Sequence, residues 1–87
     1  MSSTAEKIAS DLADKTIAVM EKSGDDRLHF EVAKVLGASS QTLEEAYLTE
    51  VRVRMAGKAA NAFLRDKAKE LLAEAEAAAQ TLGTAPE

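Results

Sequence analysis

The chain has 87 residues, a formal net charge of −4 and no cysteine. At that length it holds one domain at most, and the missing cysteines exclude a disulfide framework, a thiolate metal site and a cysteine nucleophile. Hydrophobic residues make up 46% of the chain, but 18 of them are Ala and only three are aromatic, so any core is small, aliphatic and built on close backbone approach.

The N-terminal stretch carries Glu6, Asp11 and Asp14 and lacks the basic start and apolar run of a secretory signal. No segment approaches the length of about 20 apolar residues that spans a bilayer. These features predict a soluble, cytoplasmic protein that does not use a membrane. Charge is unevenly spread: residues 1–50 sum to −5, residues 51–69 to +5 and residues 70–87 to −4. The acidic total disfavours nucleic acid as a partner. The basic middle reads first as part of a charge-balanced helical surface and second as a docking surface for an acidic partner.

Residues 4–22 read as an amphipathic helix. Ser3 and Glu6 have capping-box spacing, Ile8, Leu12, Thr16, Val19 and Met20 share a face with Ala5, Ala9 and Ala13, and Ser23-Gly24 ends the run. Asp25 or Asp26 is then expected to cap a short helix over 27–36, with Leu28, Val32, Val35 and Leu36 on one narrow face and Phe30 nearly opposite. Gly37 stops it and 38–42 form a turn. Thr42 and Glu45 repeat the capping-box spacing ahead of a helix over 42–56, whose expected buried stripe is Leu48, Val51, Met55 and Ala59, with Tyr47 to one side. Val51-Arg52-Val53-Arg54 alternates as a strand would, but a lone strand has nothing to pair with.

In a straight helix over 43–80, Leu48, Val51, Met55, Ala59 and Phe63 would centre on one direction. Leu64, Ala68, Leu71, Leu72, Ala75 and Ala79 would centre almost opposite, at about 100° per residue. Gly57 and Asn61 lie at the jump, which predicts a break or kink within 57–61 and a separate last helix over 61–80. The alternative is one long helix whose halves pack on different neighbours, as in a swapped dimer. The tail 81–87 is expected to fray.

Residues 31–46 resemble a helix-turn-helix. Ala33, Gly37 and Leu43 have the motif's spacing of small residue, turn glycine and pinning aliphatic, and Val32, Leu36, Ala38 and Ala46 fall where it buries apolar side chains. The resemblance implies a DNA-binding regulator whose base and phosphate contacts come from Ser39, Ser40, Gln41, Thr42, Arg52 and Arg54. Glu44, Glu45 and Glu50 on the same helix would repel phosphates.

No catalytic constellation, Gly-rich phosphate loop or metal-ligand spacing is present. His29 stands alone as a surface or half-buried residue, and Asp25-Asp26 and Glu44-Glu45 read as helix-start acids. The expectation is an all-α protein, a single domain over 1–87 built as a compact bundle of about four helices (4–22, 27–36, 42–56, 61–80) with a helix-turn-helix-like corner at 31–46. It is expected to be non-enzymatic, without cofactor or metal, and to act through protein–protein contact as a regulator, adaptor or assembly subunit. Its partner is an unidentified protein or a second copy, and Phe30, Tyr47 and Phe63 are interface candidates. The DNA-binding regulator is the alternative.

Overall fold

A computed structural model describes the backbone of residues 3–83 and the side chains of residues 3–80. Among these residues there are three α-helices and no strand: α1 (Thr4–Ser23), α2 (Leu28–Gly37) and α3 (Gln41–Gly83). The all-α class holds. The expected compact bundle of four helices does not, because 42–56 and 61–80 belong to the one 43-residue helix α3. Of the expected frayed tail, residues 81–83 have helical backbone and 84–87 lie outside the described residues. The fold divides into two units, Met1–Ala56 and Gly57–Glu87.

Local chemistry sets the ends of α1. Ser3 Oγ accepts from the Glu6 N–H at 3.1 Å, and the Ser3 N–H donates to Glu6 Oε1 at 2.8 Å. Two amides that a helix start leaves without partners are thereby satisfied. Hydrogen bonding from the Ser3 backbone N–H, then from the Ser3 hydroxyl, holds the Glu6 carboxyl below its ordinary pKa. Gly24 closes the helix at φ 77°, a left-handed conformation natural to glycine, with its N–H on the Met20 carbonyl at 2.9 Å.

The start of α2 differs from expectation. Arg27 occupies the cap position with no side-chain cap bond. Asp25 acts one step earlier, where its Oδ1 accepts from the Arg27 N–H at 2.8 Å and shapes the turn. At the other end Gly37 is the last residue of α2 and is not left-handed. The Ser39 and Ser40 N–H groups both return to the Leu36 carbonyl, at 3.0 and 2.8 Å. Ser40, rather than Thr42, then caps α3: its Oγ accepts from the Leu43 N–H at 3.1 Å and its carbonyl from the Glu44 N–H at 3.0 Å.

The core lies in the first unit, where Ala9, Ala13, Ala33, Tyr47 and Val51 are buried together with Leu12, Ile17, Val32, Leu36, Leu43, Ala46 and Leu48 packed around them. Alanines on α1 and α2 leave room for the large Tyr47 side chain, which is 0% exposed. Full burial of Val51 contributes about 1.5–3 kcal/mol. The buried face of α1 centres on Ala9, Ala13 and Thr16, so Ile8 and Val19 sit at its edge and are exposed. Val35, expected in the α2 stripe, is also exposed, as are Met55 and Ala59 in α3. His29 is buried rather than at the surface, stacked 4.1 Å from the Phe30 ring, and its Nδ1 has no hydrogen-bond partner among the described residues.

No break forms at 57–61, and α3 is helical through Gly57 and Asn61. A mid-helix Gly costs only about 1 kcal/mol, and the residues after it are mostly strong helix formers. Within the first unit, the face of α3 that buries Tyr47 and Val51 continues, by the helical repeat, onto the partly buried Arg54. Core packing therefore ends near Arg54.

Candidate interaction surface

In the helix-turn-helix-like corner the spacing is met in part, since Gly37 lies inside α2 rather than in the turn. Ala33 is buried, Val32, Leu36, Leu43 and Ala46 pack on the core, and Ala38 is exposed. Gly37 leaves room for the Glu44 carboxylate: a Cβ there would meet Glu44 Oε1 at 2.7 Å. Glu44 is accordingly half-buried against the corner rather than displayed.

The six residues of the DNA reading are not gathered on one surface. Ser39, Gln41 and Thr42 are exposed at the start of α3, while the Ser40 hydroxyl is engaged as its cap. Arg52 is exposed on the Gln41 side of α3, about 16 Å further along at 1.5 Å per residue. Glu45 stands on that same side between them. Arg54 points nearly opposite and is already occupied. Its Nε donates to Asp14 Oδ1 at 2.7 Å, Nη1 to Glu50 Oε1 at 2.6 Å and the Glu50 carbonyl at 2.9 Å, and Nη2 to Ser10 Oγ at 2.9 Å. Hydrogen bonding to Glu50, then to Asp14, raises the Arg54 pKa and keeps the guanidinium charged. The side chain clamps α3 onto α1 and cannot also serve a phosphate without breaking that clamp.

The interface candidates divide. Phe30 is exposed, with the Arg27 guanidinium 5.4 Å from its ring centroid. Phe63 is exposed in the second unit. Tyr47 is a core residue, because its ring packs among the alanines and its hydroxyl finds a buried partner in Thr16. A signal for that pair was present in the sequence: Thr16 sits on the otherwise apolar face of α1, and a buried hydroxyl needs a partner.

Exposed apolar side chains recur along the distal part of α3. Every described side chain from 57 to 80 is exposed except the partly covered Ala68. Leu64, Leu71 and Leu72 are 63%, 52% and 64% exposed. Leu64, Ala68, Leu71 and Ala75 follow the alternating four- and three-residue spacing of a helix-pairing seam. Lys67 and Glu74 flank the seam, and Lys67 Nζ lies 3.4 Å from Glu70 Oε1 on its own helix.

Among the described residues no group of three or more His, Asp or Glu side chains is placed to hold a metal ion. No helix there is long and apolar enough to cross a membrane. Comparison with protein families, curated proteins and solved structures gives no match.

Proposed function

We propose that the protein is a non-enzymatic helical interaction module, acting as a regulator, adaptor or assembly subunit through the distal part of α3. The observation that carries this reading is the uncovered leucine stripe on 57–80. Exposed apolar residues in a continuous, charge-rimmed stripe are costly in water and are characteristic of contact surfaces. The first unit supplies a folded base, with its own core and the Arg54 clamp. The DNA-binding reading has less support, because Arg54 is committed to Asp14 and Glu50 and because Glu45 interrupts the face between Gln41 and Arg52.

A photo-crosslinking residue placed at position 71 of the full chain in cells tests the proposal. The expected result is a discrete higher-mass adduct that disappears in a Leu64→Asp variant and is absent when the crosslinker sits at position 73 on the opposite face. Equal adducts from positions 71 and 73, or none from either, would overturn it. The same reading expects no salt-sensitive binding to a random DNA duplex, since non-specific phosphate contacts would appear first at low salt.

A further inference from the structure

Three properties of the distal segment of α3 concern its occupant. The first is charge. Residues 57–69 carry Lys58, Arg65, Lys67 and Lys69 against Asp66, and residues 70–80 carry Glu70, Glu74 and Glu76 with no base. The segment is thus a basic half followed by an acidic half of equal and opposite charge. The second is volume. Along the seam, large and small residues alternate as Leu64, Ala68, Leu71, Ala75. The third is exposure, since Leu64, Leu71 and Ala75 are exposed and only Ala68 is partly covered.

From these we propose that the distal segment of α3 pairs, antiparallel, with the same segment of a second copy of this chain. The proposal rests on the interaction reading above and names its partner. An antiparallel register that places Leu64 opposite Ala75 of the second copy also places Ala68 opposite Leu71, and the reverse pairs follow by two-fold symmetry. Each of these layers then holds one leucine and one alanine, so volumes match and the backbones approach closely. The same register brings Lys67 beside Glu74 of the second copy, twice per dimer, because both flank the seam on the same side. It sets residue 59 against residue 80, so this pairing falls within the exposed stretch. Leu72 falls at the rim, against the aliphatic stem of Arg65 of the second copy. A parallel pair has none of these matches. It would stack leucine on leucine and alanine on alanine, set Lys67 beside Leu72, and run the two basic halves side by side.

Charge reversal in the full chain, read by sedimentation equilibrium, tests both the partner and the orientation. The unmodified chain is expected to be a dimer that Leu64→Asp with Leu71→Asp converts to monomer. K67E alone and E74K alone each create two like-charge pairs and are expected to weaken the dimer about tenfold. An equimolar mixture of K67E with E74K restores both pairs and is expected to form a heterodimer. The double variant K67E/E74K is expected to return to a homodimer. These side chains are exposed, and helical circular dichroism confirms that each variant is folded. A chain that stays monomeric into the millimolar range overturns the proposal while leaving the interaction reading to the crosslink at position 71. A dimer indifferent to both charge reversals, or one that survives loss of both leucines, overturns it as well.

Discussion

The Tyr47 hydroxyl donates to Thr16 Oγ1 at 2.8 Å, and Thr16 Oγ1 in turn donates to the Leu12 carbonyl at 2.8 Å. This buried chain joins α3 to α1 at the centre of the core. The two partners are not equivalent. In Tyr47→Phe the Thr16 hydroxyl keeps its bond to Leu12, so the expected cost is about 0.5–1.5 kcal/mol. In Thr16→Val the Tyr47 hydroxyl stays buried with no acceptor, and the expected cost is about 1–3 kcal/mol. Urea unfolding of the two single variants and the double variant gives the order and the coupling. A Tyr47→Phe cost equal to or above that of Thr16→Val contradicts the arrangement.

Tyr47 also predicts alkaline behaviour. Burial raises its pKa above the ordinary tyrosine value. A group whose folded pKa lies above its unfolded value contributes stability in full below the unfolded value, about 10 for tyrosine, and loses it as pH rises through the folded value. Stability is therefore expected to fall on the alkaline side of about pH 10. As the chain has one Tyr and no Trp, phenolate absorbance reports Tyr47 alone. Thermal melts of Tyr47→Phe across the same range separate its share from that of the lysines. A phenol that ionises at or below the ordinary value removes the basis for this prediction.

The Arg54 clamp should behave as a partly buried hydrogen-bond cluster rather than a simple surface ion pair. Its side chain is only 23% exposed, whereas that of Asp14 is 70% exposed. Arg54→Ala loses every bond to Ser10, Asp14 and Glu50, at an expected cost of about 1–2 kcal/mol. Asp14→Asn loses one solvated charge, at roughly 0.5 kcal/mol or less. Arg54→Lys should fall nearer to Ala than to Arg, since a single ammonium cannot reach acceptors spread around a planar fork. Denaturant midpoints of the three variants check the ranking. An Asp14→Asn loss as large as that of Arg54→Ala would show that the ion pair, not the cluster, holds α1 to α3.

What was legible in the sequence was what neighbouring residues decide. Ser3, Glu6 and Gly24 mark the ends of α1 because caps depend on residues three or four apart. Tyr47 and Arg54 were misread because their roles depend on Thr16 and Asp14, which lie 31 and 40 residues away. Periodicity placed Val35 in a buried stripe, yet α2 buries a narrower face centred on His29 and Ala33. The expected break at 57–61 rested on the premise that both stripes of α3 bury against the same body. The chain instead keeps the helix and leaves the leucines of the second stripe exposed, in keeping with the helix propensity of the residues after Gly57.

Gly57 makes that last point measurable. It sits inside α3, and a Cβ built on it meets nothing within 4 Å. With helical backbone and open space, Gly57→Ala removes the backbone freedom of glycine in the unfolded chain without strain in the folded one. The expected effect is stabilisation of the helix by about 0.5–1 kcal/mol. Amide exchange should slow for the residues around Gly57, and mean helical ellipticity should rise. A helix that needs to bend at this glycine would respond the opposite way, with faster exchange and lost ellipticity in Gly57→Ala. Under the antiparallel pairing, the stiffened segment also loses less conformational entropy on association, so the dimer of Gly57→Ala should be at least as tight as that of the unmodified chain.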